Sequence, residues 1–267
     1  MIKQLTIICL LFLINFSVLA QQTDTLLARK YYKKSIKFES KGKRDSAIKY
    51  NNKAAKIYKQ QKIWVRFFEC RNRIADLYQA ENKSDEAKKI ANWIIKESPK
   101  YLKKDHRRVA QAYNTLGNIA SARGSGEESI GYYKKCIQAY RKHYSDSHRL
   151  INYTFANIGL AYYRQKKYHT ALSYYQNALK GKTGWPLHFN IGITYLMMEE
   201  YHLALEFVNK AKSTFLKYSP ESHPHFMFIS NVLGIIYGQL LLKDQSDQLK
   251  KGLIKISGST TFGGIPS

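Results

Sequence analysis

Two helices pack closely only where small side chains meet, and this chain places such pairs at a fixed offset. Ser35 and Ala47, Ala75 and Ala87, Gly117 and Ser129, Gly159 and Ala171, and Gly192 and Ala204 each stand twelve positions apart. Each second member is followed on the same helical face, at spacings of three and four, by further apolar residues. These are Ala54 in the first unit, Ala91 and Ile94 in the second, Tyr133 and Cys136 in the third, Tyr175 and Ala178 in the fourth, and Val208 and Ala211 in the fifth. The leading residues Ser35, Ala75, Gly117, Gly159, Gly192 and Gly234 give steps of 40, 42, 42, 33 and 42. A chain of this kind buries each unit on its neighbours, so the repeat, not the length of 267 residues, sets the architecture. Asn231, Leu233, Gly234 and Tyr237 open a sixth unit, but Ser246 and Lys250 stand where its second helix needs small and aromatic residues. That unit reads as a half.

The best preserved stretch, residues 153–180, holds two amphipathic segments joined by the basic turn Lys166-Lys167. It resembles the tetratricopeptide repeat, and the long steps resemble the extended repeats of kinesin light chains and the exported tetratricopeptide regulators of Bacteroidota. The resemblance implies an all-α fold over residues 25–250, a right-handed superhelical solenoid of antiparallel helix hairpins with about five full units and an incomplete sixth. It also implies function as a protein-protein interaction scaffold that holds a peptide or protein segment in a concave groove lined by first helices. The alternative is the sensory half of a membrane-associated transcription regulator without its membrane and DNA-binding parts. No apolar run of about 20 residues, the length of a membrane span, is read after the last repeat.

On that reading the groove carries an amide row, Asn72, Asn114, Asn157, Asn190 and Asn231, with Asn118 beside it. A carboxamide donates and accepts at once, so it can grip a ligand backbone whatever its side chains are. Tyr153, Tyr163, Phe189, Ile193 and Met197 make the fourth and fifth units apolar and fit a ligand with apolar anchors. Arg73 and Arg164 are the cations placed to meet a ligand carboxylate.

The first residues follow a different rule. Lys3, the apolar run Leu5 to Leu19 and Ala20 before Gln21 form a secretory signal peptide, residues 1–20. The chain is therefore expected in the periplasm or at the cell surface, an uncleaved anchor being the alternative. Cys70 and Cys136 read as buried small hydrophobes, since helices two repeats apart do not bring alpha carbons within about 7 Å. Residues 251–267, with Gly258, Gly263, Gly264 and Pro266, read as a flexible tail after an uncovered Leu240 to Leu242.

The formal charge of +25 biases the chain towards acidic partners and membrane-surface proximity. Its lysines, as in Lys33, Lys34, Lys103, Lys104, Lys166 and Lys167, read as scattered through turns, which argues against nucleic acid. No phosphate loop, Cys-x-x-Cys or His-Glu-x-x-His motif is present. His223 and His225, with Pro224 between them, read as a loop pair and not a zinc site. No catalytic residue, metal or cofactor is therefore expected.

Overall fold

A computed structural model describes residues 23–102, 106–181 and 184–258. The expected signal peptide, Lys103, Lys104 and the last nine positions of the expected tail lie outside the described residues. Eleven α-helices and one short 3-10 turn make up the described part: α1 (residues 23–39), α2 (Arg44–Gln60), α3 (Trp64–Ala80), α4 (Ser84–Glu97), η1 (Ser98–Lys100), α5 (Arg107–Ala122) and α6 (Gly126–Arg141), followed by α7 (Arg149–Arg164), α8 (Tyr168–Ala178), α9 (Trp185–Met197), α10 (Tyr201–Leu216) and α11 (Pro224–Gly258). The chain divides within α7 into two compact units, Met1–Asn157 and Ile158–Ser267.

In the first unit the helices pair as α1/α2, α3/α4 and α5/α6. Ala47, Ala54, Ala75, Ala87, Ala91, Ile94 and Cys136 are all fully buried, as the twelve-residue offset requires. One core joins Ala54, Tyr58, Phe68, Cys70, Ala91, Ile94 and Leu116. Around it Trp64 stacks on Tyr101 at 4.0 Å between ring centroids, and Phe67 meets Phe68 edge-on at 5.1 Å. Both cysteines are free and buried, and burial pushes each thiol up to about 12.

The second unit repeats the device. A Cβ on Gly159 would stand 2.5 Å from Cε1 of Tyr175 and 3.1 Å from the carbonyl oxygen of Ala171, so this position admits no side chain. Gly192 meets Val208 in the same way, at 2.5 Å from Cγ2. Tyr162 stacks on Tyr174 with centroids 5.3 Å apart. The core continues through Ala204, Val208, Phe215, Ile229, Leu233 and Ile236.

Tight turns end most first helices with one residue in the left-handed region. Gly42 and Gly124 fill it freely, whereas Asn82, Lys166 and Glu199, and Lys62 after α2, adopt φ of 54° to 62°. An ordinary side chain there costs about 1 kcal/mol, so Lys166→Gly should raise the unfolding free energy by about 0.5–1 kcal/mol. Chemical denaturation checks this; a loss of stability would show that the Lys166 side chain holds the turn.

The sixth unit is a single long helix. Among the described residues nothing lies within 4 Å of where a Cβ would be on Gly234 or Gly238, so none of them covers α11 there as α8 and α10 cover Gly159 and Gly192. Leu241 and Leu242 are about 60% exposed, as expected, while Leu240 is half-buried against the core, which corrects the expectation at that residue. Residues 251–258, expected to open a flexible tail, instead continue α11 to Gly258. Pro224–Ser246 is long and apolar enough to cross a membrane by length and composition. Ile229, Leu233 and Ile236 nevertheless pack one side of it into the core.

Candidate functional amide cluster on the first helices

Counting from the leading small residue of each unit aligns the first helices of the first unit. Six positions before, two before and one after it stand Glu69, Arg73 and Asp76 on α3, Gln111, Thr115 and Asn118 on α5, and Tyr153 and Asn157 on α7 at the first two places. The face thus changes from charged to amide and hydroxyl to aromatic and amide.

Three of the expected site residues meet there. Nδ2 of Asn157 donates to Oδ1 of Asn114 at 3.3 Å and to Oδ1 of Asn118 at 3.5 Å. The Tyr133 hydroxyl donates to the same Asn118 oxygen at 2.8 Å and fixes its orientation. All three amides are half-buried. Among the described residues, Nδ2 of Asn114 and Asn118 and Oδ1 of Asn157 make no side-chain hydrogen bond, so the cluster keeps two donors and one acceptor for a ligand. Tyr153, one turn before Asn157, is 53% exposed, with the Arg149 guanidinium 5.9 Å from its ring.

Asn72 does not belong to this surface, and its expected role is corrected. It is fully buried, and its Nδ2 donates to the carbonyls of Phe68 and Arg108 at 3.2 and 3.0 Å, tying α3 to the first turn of α5. Arg73 is likewise committed: it pairs with Glu39 and lies 5.5 Å from the Tyr32 ring. The remaining expected residues stand in the second unit and form no comparable cluster. Tyr163 is half-buried with its ring 5.7 Å from Tyr168. Phe189 meets Trp185 edge-on at 6.0 Å and packs against the core. Asn190 is half-buried, its carbonyl accepting from the Thr194 hydroxyl at 2.7 Å, and Asn231 is exposed.

Sequence reasoning missed an ionic and polar row beside the amides. Glu69 on α3 accepts from the Tyr32 hydroxyl at 3.0 Å and from Arg66 at 2.7 Å, and pairs with Arg108 of α5 at 2.7 Å. Burial alone would raise the Glu69 carboxyl, but Arg108 and Arg66 outweigh it and hold the group below the usual carboxylate value. Tyr32 is pushed up to about 12 by burial and by the Glu69 charge. Asp76 accepts from Thr115 at 2.7 Å and Gln111 at 3.3 Å, and burial raises its carboxyl. The signal was available: an acid on one first helix and a base on the next, at positions that meet across the hairpins. Among the described residues no group of three His, Cys, Asp or Glu side chains is placed to hold a metal ion, and His223 and His225 stack on each other at 5.2 Å.

Hairpins of this form, repeated on small-residue contacts, define the class of helical-repeat proteins. Residues 105–184 match the family model of the tetratricopeptide repeat, and the chain therefore carries tetratricopeptide repeats in an all-helical fold of that type. The chain is 31% identical over 94 residues to Protein HGV2 of Halocynthia roretzi, a match covering 33% of this chain and 18% of that protein. Among solved structures it is similar to a Rap protein complexed with Competence and Sporulation Factor, with a TM-score of 0.63, 15% identity and coverage of 83% of this chain and 67% of that one. It is also similar to the nearly identical TPR-like repeats of a putative kinesin light chain from Podosopora anserina, with a TM-score of 0.54, 14% identity and coverage of 73% and 97%. These likenesses establish the fold.

Proposed function

We propose that the protein is an exported scaffold of the periplasm or cell surface that grips an extended segment of another polypeptide on the first-helix face of its first unit. The fold is one that serves protein-protein interaction in general, and the finer reading rests on one observation. Asn114, Asn118 and Asn157, from two successive first helices, gather their amides at one half-buried place and leave two donors and an acceptor unused. A polypeptide backbone offers the complementary carbonyl and N–H groups. Tyr153 supplies a rigid apolar anchor at the edge of the cluster, the kind of residue that dominates interface energetics. The likeness to a Rap protein solved with Competence and Sporulation Factor supports a bound factor on such a fold.

The buried Glu69-Arg108 pair and the Asp76 bonds hold α3 and α5 in register, so the amides of α5 are presented on a fixed frame. Preorganisation of this sort lowers the ordering cost of binding. No chemistry is assigned to the face.

A photocrosslinker in place of Tyr153, introduced in the native cell, tests the reading. It should trap a discrete polypeptide adduct that is lost when Asn157→Ala is added. A photocrosslinker in place of the exposed Lys217 side chain should not trap it. An adduct that forms equally at both positions, or is indifferent to Asn157→Ala, contradicts the assignment.

A further inference from the structure

The positive charge is not scattered. Arg29 to Lys62 holds thirteen of the chain's 44 lysines and arginines, against the two acids Glu39 and Asp45. Lys33 and Lys34, expected in a turn, lie within α1. All thirteen cations are exposed, and among the described residues none of them pairs with a carboxylate, Glu39 being taken by Arg73.

Helical spacing gathers them on one side. Lys30, Lys33, Lys34 and Lys37, with Lys41 just beyond the helix, follow the i, i+3, i+4, i+7 pattern of a single face of α1. Leu26 and Leu27 extend that face towards the N-terminus, 62% and 39% exposed. On α2, Lys49, Lys53 and Lys56 form a second stripe opposite the buried Ala47, Asn51, Ala54 and Tyr58. Tyr50 joins the two stripes, with Nζ of Lys34 4.4 Å and Nζ of Lys53 5.5 Å from its ring centroid. The ring is held by Phe38 at 5.4 Å and Tyr31 at 5.9 Å. The Lys34 ammonium beside it keeps the Tyr50 hydroxyl below its ordinary value.

We propose that the α1–α2 hairpin is a docking surface for an anionic lipid bilayer, the lysine stripes lying on lipid phosphates and Leu26 and Leu27 entering the headgroup layer. Two observations favour lipid over an acidic polypeptide. All the cations but Arg29 and Arg44 are lysines, point charges suited to a diffuse anionic plane, whereas directional recognition of carboxylates favours the arginine fork. The exposed leucines continue the cationic face of α1 towards its N-terminus, and apolar insertion beside basic residues is how an amphipathic helix holds a membrane surface.

The full chain is mixed with vesicles of phosphatidylcholine alone and with vesicles carrying phosphatidylglycerol, and the ratio of the two partition coefficients is read. An apolar N-terminal segment contributes to both and cancels in the ratio. Lys30→Gln, Lys33→Gln, Lys37→Gln and Lys53→Gln together should lower the ratio by about fivefold for each lysine, the fold-change equivalent to about 1 kcal/mol per cation near an anionic surface. Lysine-to-arginine changes at the same four positions should preserve it, and high salt should mimic the glutamine set. Leu26→Ser should weaken the binding to phosphatidylglycerol vesicles that survives high salt. A wild-type ratio near one, or a ratio unmoved by the glutamine set in a protein with unchanged circular dichroism, overturns the proposal. Soluble polyglutamate that binds as tightly as the vesicles and ignores Leu26→Ser overturns it in favour of an acidic polypeptide.

Discussion

Arg108→Met should destabilise the fold by about 3–5 kcal/mol, the cost of stranding one member of a buried ion pair. The Arg108 and Glu69 side chains are only 9% and 16% exposed, and Arg66, the other guanidinium on Glu69, is 52% exposed and screened by water. Urea denaturation measures the loss. The double change Glu69→Leu with Arg108→Met should recover most of it, because an apolar pair of similar volume removes the desolvation cost together with the attraction. The pH dependence has a definite sign. The Glu69 carboxyl titrates below its ordinary value in the folded protein, so its contribution is present above the unfolded carboxylate range and is lost as pH falls through the depressed folded value. Asp76 is raised by burial and acts in the opposite sense. Removing it by Asp76→Asn should therefore steepen the loss of stability in acid.

Gly159→Leu should cost about 3 kcal/mol or more. A Cβ at this site already meets the Tyr175 ring at 2.5 Å and the Ala171 carbonyl at 3.1 Å; the ring can turn only by leaving its buried place, and the backbone cannot give without separating α7 from α8. Overpacking of this kind commonly costs about 1–3 kcal/mol, and a backbone contact puts the change at the upper end. Gly234 is the internal comparison. It holds the corresponding place in the sixth unit but has none of the described residues within 4 Å, so Gly234→Ala should stabilise α11 by about 0.5–1 kcal/mol through helix propensity alone. Equal effects at the two glycines would mean that the twelve-residue offset does not mark the contact.

The repeat was legible because close helix contact leaves few choices. Ala171 and Tyr175, or Ala204 and Val208, are fixed by the space opposite one glycine, and that constraint appears directly in the sequence as spacing. The amide cluster was legible for the same reason at one remove. Asn114, Asn118 and Asn157 sit at places set by Gly117 and Gly159, so correct registers bring them together. Asn72 shows the limit. It stands three residues before Ala75 as Asn114 stands three before Gly117, yet the Arg108 carbonyl of the next first helix takes up its amide and the first core closes over it. Offset within one unit does not specify what the neighbouring unit presents. The lysines misled in another way: a charge count says nothing of which face carries it, and only the pairing of α1 with α2 through Tyr50 makes two unremarkable stripes into one field. Phe189 looked like a ligand contact because an aromatic at a groove position and an aromatic sealing a core have the same spacing.

The polypeptide-binding assignment stands or falls on the affinity of a crosslink-identified partner for Asn157→Ala, measured by calorimetry beside the wild-type protein. Asn157 is the residue that touches both Asn114 and Asn118 and retains an acceptor of its own. Its loss should weaken binding about tenfold or more, the effect of removing hydrogen bonds that become buried in a complex, while the melting temperature stays within a few degrees. Unchanged affinity for Asn157→Ala, together with loss of binding on charge reversal at Lys166 and Lys167, would contradict the assignment and move the contact to the α7–α8 turn.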